Sequence, residues 1–82
     1  MDLQEARKQI DIIDEEIARL FNQRQEISAE IGKIKALNGI AREDLQREEE
    51  VMKKAESRCG IYGRELFETI MSLSKKEQAK YK

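Results

Sequence analysis

The chain has no histidine, no proline and no tryptophan, a single cysteine, Cys59, and only four glycines in 82 residues. Without histidine and with one thiol it cannot build a Cys/His metal site, a Ser-His-Asp triad or an intrachain disulfide. Any chemistry must run on Arg, Lys, Asp, Glu, Ser, Gln or Tyr. Cys59, next to a helix end, is assigned no function. Neither sign of charge dominates, because 16 Lys and Arg face 17 Asp and Glu for a net charge of -1. The basic surplus that usually accompanies binding to nucleic acid or anionic membranes is therefore missing. Nor is there a run of about 18 apolar residues to span a bilayer. The opening Met1-Asp2-Leu3-Gln4-Glu5 has no apolar stretch, so the expected compartment is the cytosol.

What remains is a helical pattern. Strand alternation is absent, and apolar residues recur in a heptad, with Leu3, Ile10, Ile17 and Ile31 in one register and Ala6, Ile13, Leu20, Ile27 and Ile34 in the other. Asn38-Gly39 is a stop signal, Asp44 can cap a second helix through Met52 and Ala55, and Cys59-Gly60 ends that helix. The expectation is an all-α fold: a single domain over 1–82, a three-helix subunit with helices over roughly 3–37, 44–58 and 62–79. The first helix is about 52 Å long, whereas a compact chain of this size has a radius of gyration of about 12 Å. Part of that helix must protrude, and its apolar seam runs to both ends. A second copy covering the seam is expected, giving an intertwined homodimer.

Several polar residues break the pattern. Arg24 occupies a seam position between Ile17 and Ile31, where a guanidinium needs an anionic partner. It could fix the register of two helices, pair with a carboxylate of the partner helix, or mark a ligand site cut into the core. Lys35 lies 11 residues further on, within about 20° of the same direction and about 16 Å along the axis, so the two side chains can lean around a small anion. Arg7 is about 25 Å from Arg24 along the helix and rotated by about 100°. It can reach such a ligand only from the opposite subunit of an antiparallel pair. Taken singly, Arg7 and Lys35 also read as solvated surface cations.

In the third helix, Phe67, Met71, Ser74 and Gln78 share one face, so two polar groups continue an apolar stripe. Ser74 bonding back to its own helix, and fraying at Gln78, would account for them without function. The acidic residues of Asp44-Leu45-Gln46-Arg47-Glu48-Glu49-Glu50 suit a helix start, whereas the cation Arg47 does not.

Taken in order, Arg7-x-x-Ile10-Asp11-x-x-Asp14, Arg24, Ile31-Gly32-x-x-Lys35, Asp44-x-x-Arg47-Glu48 and Ser74-x-x-x-Gln78 closely resemble the all-helical class of chorismate mutases. The resemblance runs from about Leu3 to Gln78, and the chain departs from it in lacking a proline near Ile40 and Ala41. It implies an intertwined homodimer with shared active sites and the rearrangement of chorismate to prephenate, without a metal or cofactor. It further implies that Arg24 with Ser74, and Arg7 of the other subunit, hold the substrate carboxylates. Lys35 and Gln78 would donate to the ether oxygen, Glu48 and the backbone near Asp44 would hold the ring hydroxyl, and Arg47 would orient its neighbours. Ile31 and Met71 would line the pocket. Two other readings are an isochorismate-pyruvate lyase of the same fold and a helical dimerisation module without catalysis. The module leaves Arg24, Ser74 and Gln78 without a reason.

Overall fold

Asp2 starts the first helix, its side chain accepting the Glu5 N–H at 2.7 Å, an arrangement that satisfies one of the donors a helix start leaves free. In the computed structural model, which describes residues 1–81, α1 then runs unbroken over Leu3–Asn38. Its end is set by Gly39, whose left-handed backbone (φ 64°) most side chains avoid. The Ile40 N–H turns back to Lys35 O at 2.9 Å. After a short connection, Asp44 accepts the Arg47 N–H at 3.0 Å and opens α2, Leu45–Cys59.

Gly60 (φ 68°, ψ -147°) then takes a conformation open essentially to glycine alone and starts a 3-10 turn, Gly60–Tyr62. α3 follows directly over Gly63–Gln78. Tyr62, expected in the third helix, lies in that turn, because the reversal that starts at Gly60 takes up residues 60–62. Lys82, the last residue of the expected 1–82 domain, lies outside the described residues. The chain is all-helical, with no strand among the described residues. None of these helices is long and apolar enough to cross a membrane.

α3 packs against both α1 and α2, whereas α1 and α2 do not pack directly on one another. The α1 surface that meets α3 contains Gln25, Ser28, Gly32 and Lys35, spaced 3, 4 and 3 residues apart and so aligned on one side. Ser28 and Gly32 are the buried residues of α1. This face is distinct from the apolar seam, which stands in the open, with Ile17 58% and Ile34 52% exposed. Among the described residues, Met52 and Ala55 are the only buried apolar side chains. The long helix gives an elongated shape, 54 Å in its largest dimension, with a radius of gyration of 15.8 Å.

Two glycines set how closely the helices approach. A Cβ on Gly63 would lie 2.2 Å from Ala55 O, and one on Gly32 would lie 2.8 Å from both Cα and O of Gln78. Both clashes are with backbone, so a helix must move. Gly63→Ala is expected to lower stability by about 3 kcal/mol, and Gly32→Ala by about 1–3 kcal/mol, less because α3 can lift near its end. Urea unfolding at one fixed protein concentration measures both. An unchanged midpoint for either variant would mean that the helices have room to spare there.

Candidate active site

Because α3 holds α1 and α2 apart, a gap opens between them, a cavity of about 390 Å³ with α3 as its floor. α1 contributes Arg24, Ile27, Ser28, Ile31 and Lys35. The opposite wall is built by Arg42 and Asp44 of the connection with Arg47, Glu48 and Val51 of α2, while Met71, Ser74, Lys75 and Gln78 come from α3. Apolar Ile27, Ile31, Val51 and Met71 give it shape, and the remaining residues give it polarity. Five of the lining residues are cations and two are carboxylates.

Both carboxylates are engaged. Asp44 caps α2, and Glu48 forms an ion pair with Lys75 of α3. Arg47 reaches Glu50 at 3.5 Å across the exposed first turns of α2. Arg24 is half-buried and makes no ion pair or side-chain hydrogen bond among the described residues. Burial, and after it the charge of Arg47, push its guanidinium below the ordinary arginine value. A desolvated cation facing a second cation is a local excess of positive potential. An anion entering the cavity relieves it.

A chain of hydrogen bonds crosses the floor. Ser28 and Ser74 share a bond of 2.6 Å between their hydroxyls, and Gln78 Nε2 donates to Ser74 Oγ at 3.3 Å. That fixes the Gln78 amide with its oxygen toward α1, where Lys35 Nζ donates to Oε1 at 3.1 Å. Lys35 Nζ also donates to Arg42 O at 2.8 Å. An ammonium has three N–H donors and an amide nitrogen two, so one N–H of Lys35 and one of Gln78 are left for a ligand.

Of the residues expected from the sequence, Arg24, Lys35, Asp44, Arg47, Glu48, Ser74 and Gln78 all line this one cavity, together with Ile31 and Met71. Arg7 does not, being about 25 Å away along the same helix. Ser74 bonds across to α1, and Gln78, far from fraying, is 8% exposed. The sequence reading missed Ser28, Arg42 and Lys75. Ser28 had a usable signal, lying four residues after Arg24 and seven before Lys35 on one helix face. Arg42 sits in an irregular connection, and Lys75 in a lysine pair resembling a solvated tail, so neither stood out.

Residues 6–79 match the chorismate mutase type II family. The chain is also 35% identical, over 94 aligned residues and 98% of its length, to the bifunctional chorismate mutase/prephenate dehydratase of Aquifex aeolicus (strain VF5). It spans about a quarter of that relative, 26% of its length. A solved structure of a conserved hypothetical protein from Pyrococcus furiosus is 45% identical and superposes with a TM-score of 0.84, covering 93% of each chain. An all-helical frame, a cation-rich cavity with an unpaired half-buried arginine, and a match across nearly the whole chain agree: the chain belongs to the chorismate mutase type II family, enzymes of the isomerase class.

Proposed function

We propose that the chain catalyses the Claisen rearrangement of chorismate to prephenate, a cytosolic step toward phenylalanine and tyrosine. The observation that carries this reading is Arg24, half-buried without a carboxylate partner in a cavity that also holds Lys35, Arg42 and Arg47. Chorismate is a dianion, which suits that excess of positive charge. In the rearrangement one carbon–oxygen bond of the ether breaks as one carbon–carbon bond forms. No proton, electron or group leaves the molecule, so the site needs neither base nor nucleophile. It needs to hold a folded conformer and to meet the charge growing on the ether oxygen.

In this reading Arg24 and Ser74 hold one carboxylate, and the spare N–H groups of Lys35 and Gln78 serve the ether oxygen. Those two contacts strengthen as the bond breaks, so their effect falls on the transition state. Ile31 and Met71 press the substrate into its compact form. Arg47 adds positive potential, and Glu48 with the backbone near Asp44 holds the ring hydroxyl.

The reading includes a homodimer with shared sites. Its support is physical: two buried apolar side chains are too few to hold a long helix whose apolar seam lies open to water. A second copy running antiparallel would cover the seam and bring its Arg7 to this cavity, completing the second carboxylate contact.

Incubation of the purified protein with chorismate, with loss of absorbance followed and the product identified, tests the activity. Prephenate is expected. Release of pyruvate from isochorismate in its place would point to the lyase, and no turnover of either to a module without catalysis. Lys35→Ala and Gln78→Ala should each lower kcat by roughly 100-fold or more, the usual loss for one oxyanion-type donor of about 2.7–4 kcal/mol. A near-normal kcat for Gln78→Ala would remove it from the ether oxygen.

The cross-subunit role of Arg7 has its own test. Mixing inactive Arg7→Ala chains with inactive Lys35→Ala chains should give heterodimers in which one site carries both lesions and the other neither. Activity should partly return. Verified heterodimers without activity would place Arg7 in the site of its own chain or outside both.

A further inference from the structure

Glu48 and Lys75 face one another across the cavity, one on the first turn of α2 and the other next to Ser74 on α3. Four of the seven ion pairs among the described residues join residues only three apart in sequence. This one ties two walls of the cavity together. The Lys75 ammonium contacts Glu48 Oε1. Glu48 Oε2 is buried and has no hydrogen-bond partner among the described residues. A buried carboxylate oxygen without a donor is a costly arrangement, and a ligand hydroxyl that supplies the donor removes the cost.

The surroundings of Glu48 make its placement a problem in itself. Arg24 and Lys35 face the cavity from α1, Arg42 from the connection, Asp44 and Arg47 from the start of α2, and Lys75 from α3. A carboxylate free to rotate among these groups would not keep one oxygen turned toward a ligand hydroxyl. Lys75 is nearly half exposed, and its contact with Oε1 fixes one end of the Glu48 carboxylate and leaves Oε2 free. The hydrogen bond to Glu48, more than any longer-range charge, raises the Lys75 ammonium above the ordinary lysine value, so it stays charged.

We propose that Lys75 is a positioning residue: it fixes Oε1 of Glu48 so that Oε2 accepts the hydrogen bond of the substrate's ring hydroxyl. The inference rests on the chorismate reading above and adds to it a residue that touches Glu48 and not the substrate.

The experiment compares Lys75→Met, which keeps the length of the stem and drops the charge, with Lys75→Arg, on two substrates. One is chorismate, and the other is the analogue in which hydrogen replaces the ring hydroxyl. Lys75→Met should lower kcat/KM for chorismate about tenfold, the scale of one hydrogen bond to a charged group. It should leave turnover of the analogue nearly unchanged, and Lys75→Arg should keep most of the chorismate activity. Thermal melts of both variants verify folding, and a purely structural role would depress both substrates alike. Equal losses on the two substrates, or no loss on either, would overturn the role of Lys75 while leaving the mutase reading intact. No turnover of chorismate by the unaltered protein would overturn the reading and this role with it.

Discussion

The approach of α1 to α3 at Gly32 is the contact on which the rest of the site depends. With no side chain at that position, the backbone of Gln78 can lie directly against α1. Only at that distance do the short side chains of Ser28 and Ser74 meet, and only then does Lys35 reach the Gln78 amide. A wider separation would let water between the hydroxyls and break the hydrogen-bond chain that orients the donors. The same contact sets α3 as a spacer and so leaves the gap between α1 and α2 open.

Charge within that gap is arranged by difference in engagement. Asp44 and one oxygen of Glu48 are occupied, and Arg47 has a surface partner in Glu50. Arg24 has none. Burial strengthens any interaction it makes, since a half-buried charge is screened less than an exposed one. The cavity therefore presents a half-buried guanidinium without a carboxylate among the described residues, together with two oriented N–H donors, a combination suited to an anion with a second oxygen a short distance away.

The sequence disclosed the helical frame through local chemistry. Gly39 and Asp44 mark their helix ends because a left-handed residue and a side-chain cap each require a narrow set of residue types. Arg24, Ser74 and Gln78 were visible as polar residues on apolar stripes. Hidden was the face on which α1 meets α3. Gln25, Ser28, Gly32 and Lys35 carry little apolar area, so hydrophobic periodicity pointed to the seam, which lies on another side and is open in the single chain. Close approach of two backbones favours small residues, and smallness leaves no periodic apolar signal. Lys75 and Arg42 were concealed for a different reason. In a chain that is 40% charged, a cation becomes informative only when its partner across space is known.

The contact between Lys35 Nζ and Arg42 O has a consequence for how the site tolerates change. The acceptor is a peptide carbonyl, present whatever side chain stands at position 42. Sequence drift in the connection can alter charge at the cavity mouth while the ammonium keeps one of its anchors, provided the path of the backbone holds. The opposite anchor, Gln78 Oε1, is a side-chain atom and is lost with the residue. The two halves of the lysine's setting thus differ in heritability: one is encoded by a single codon, the other by the course of a loop.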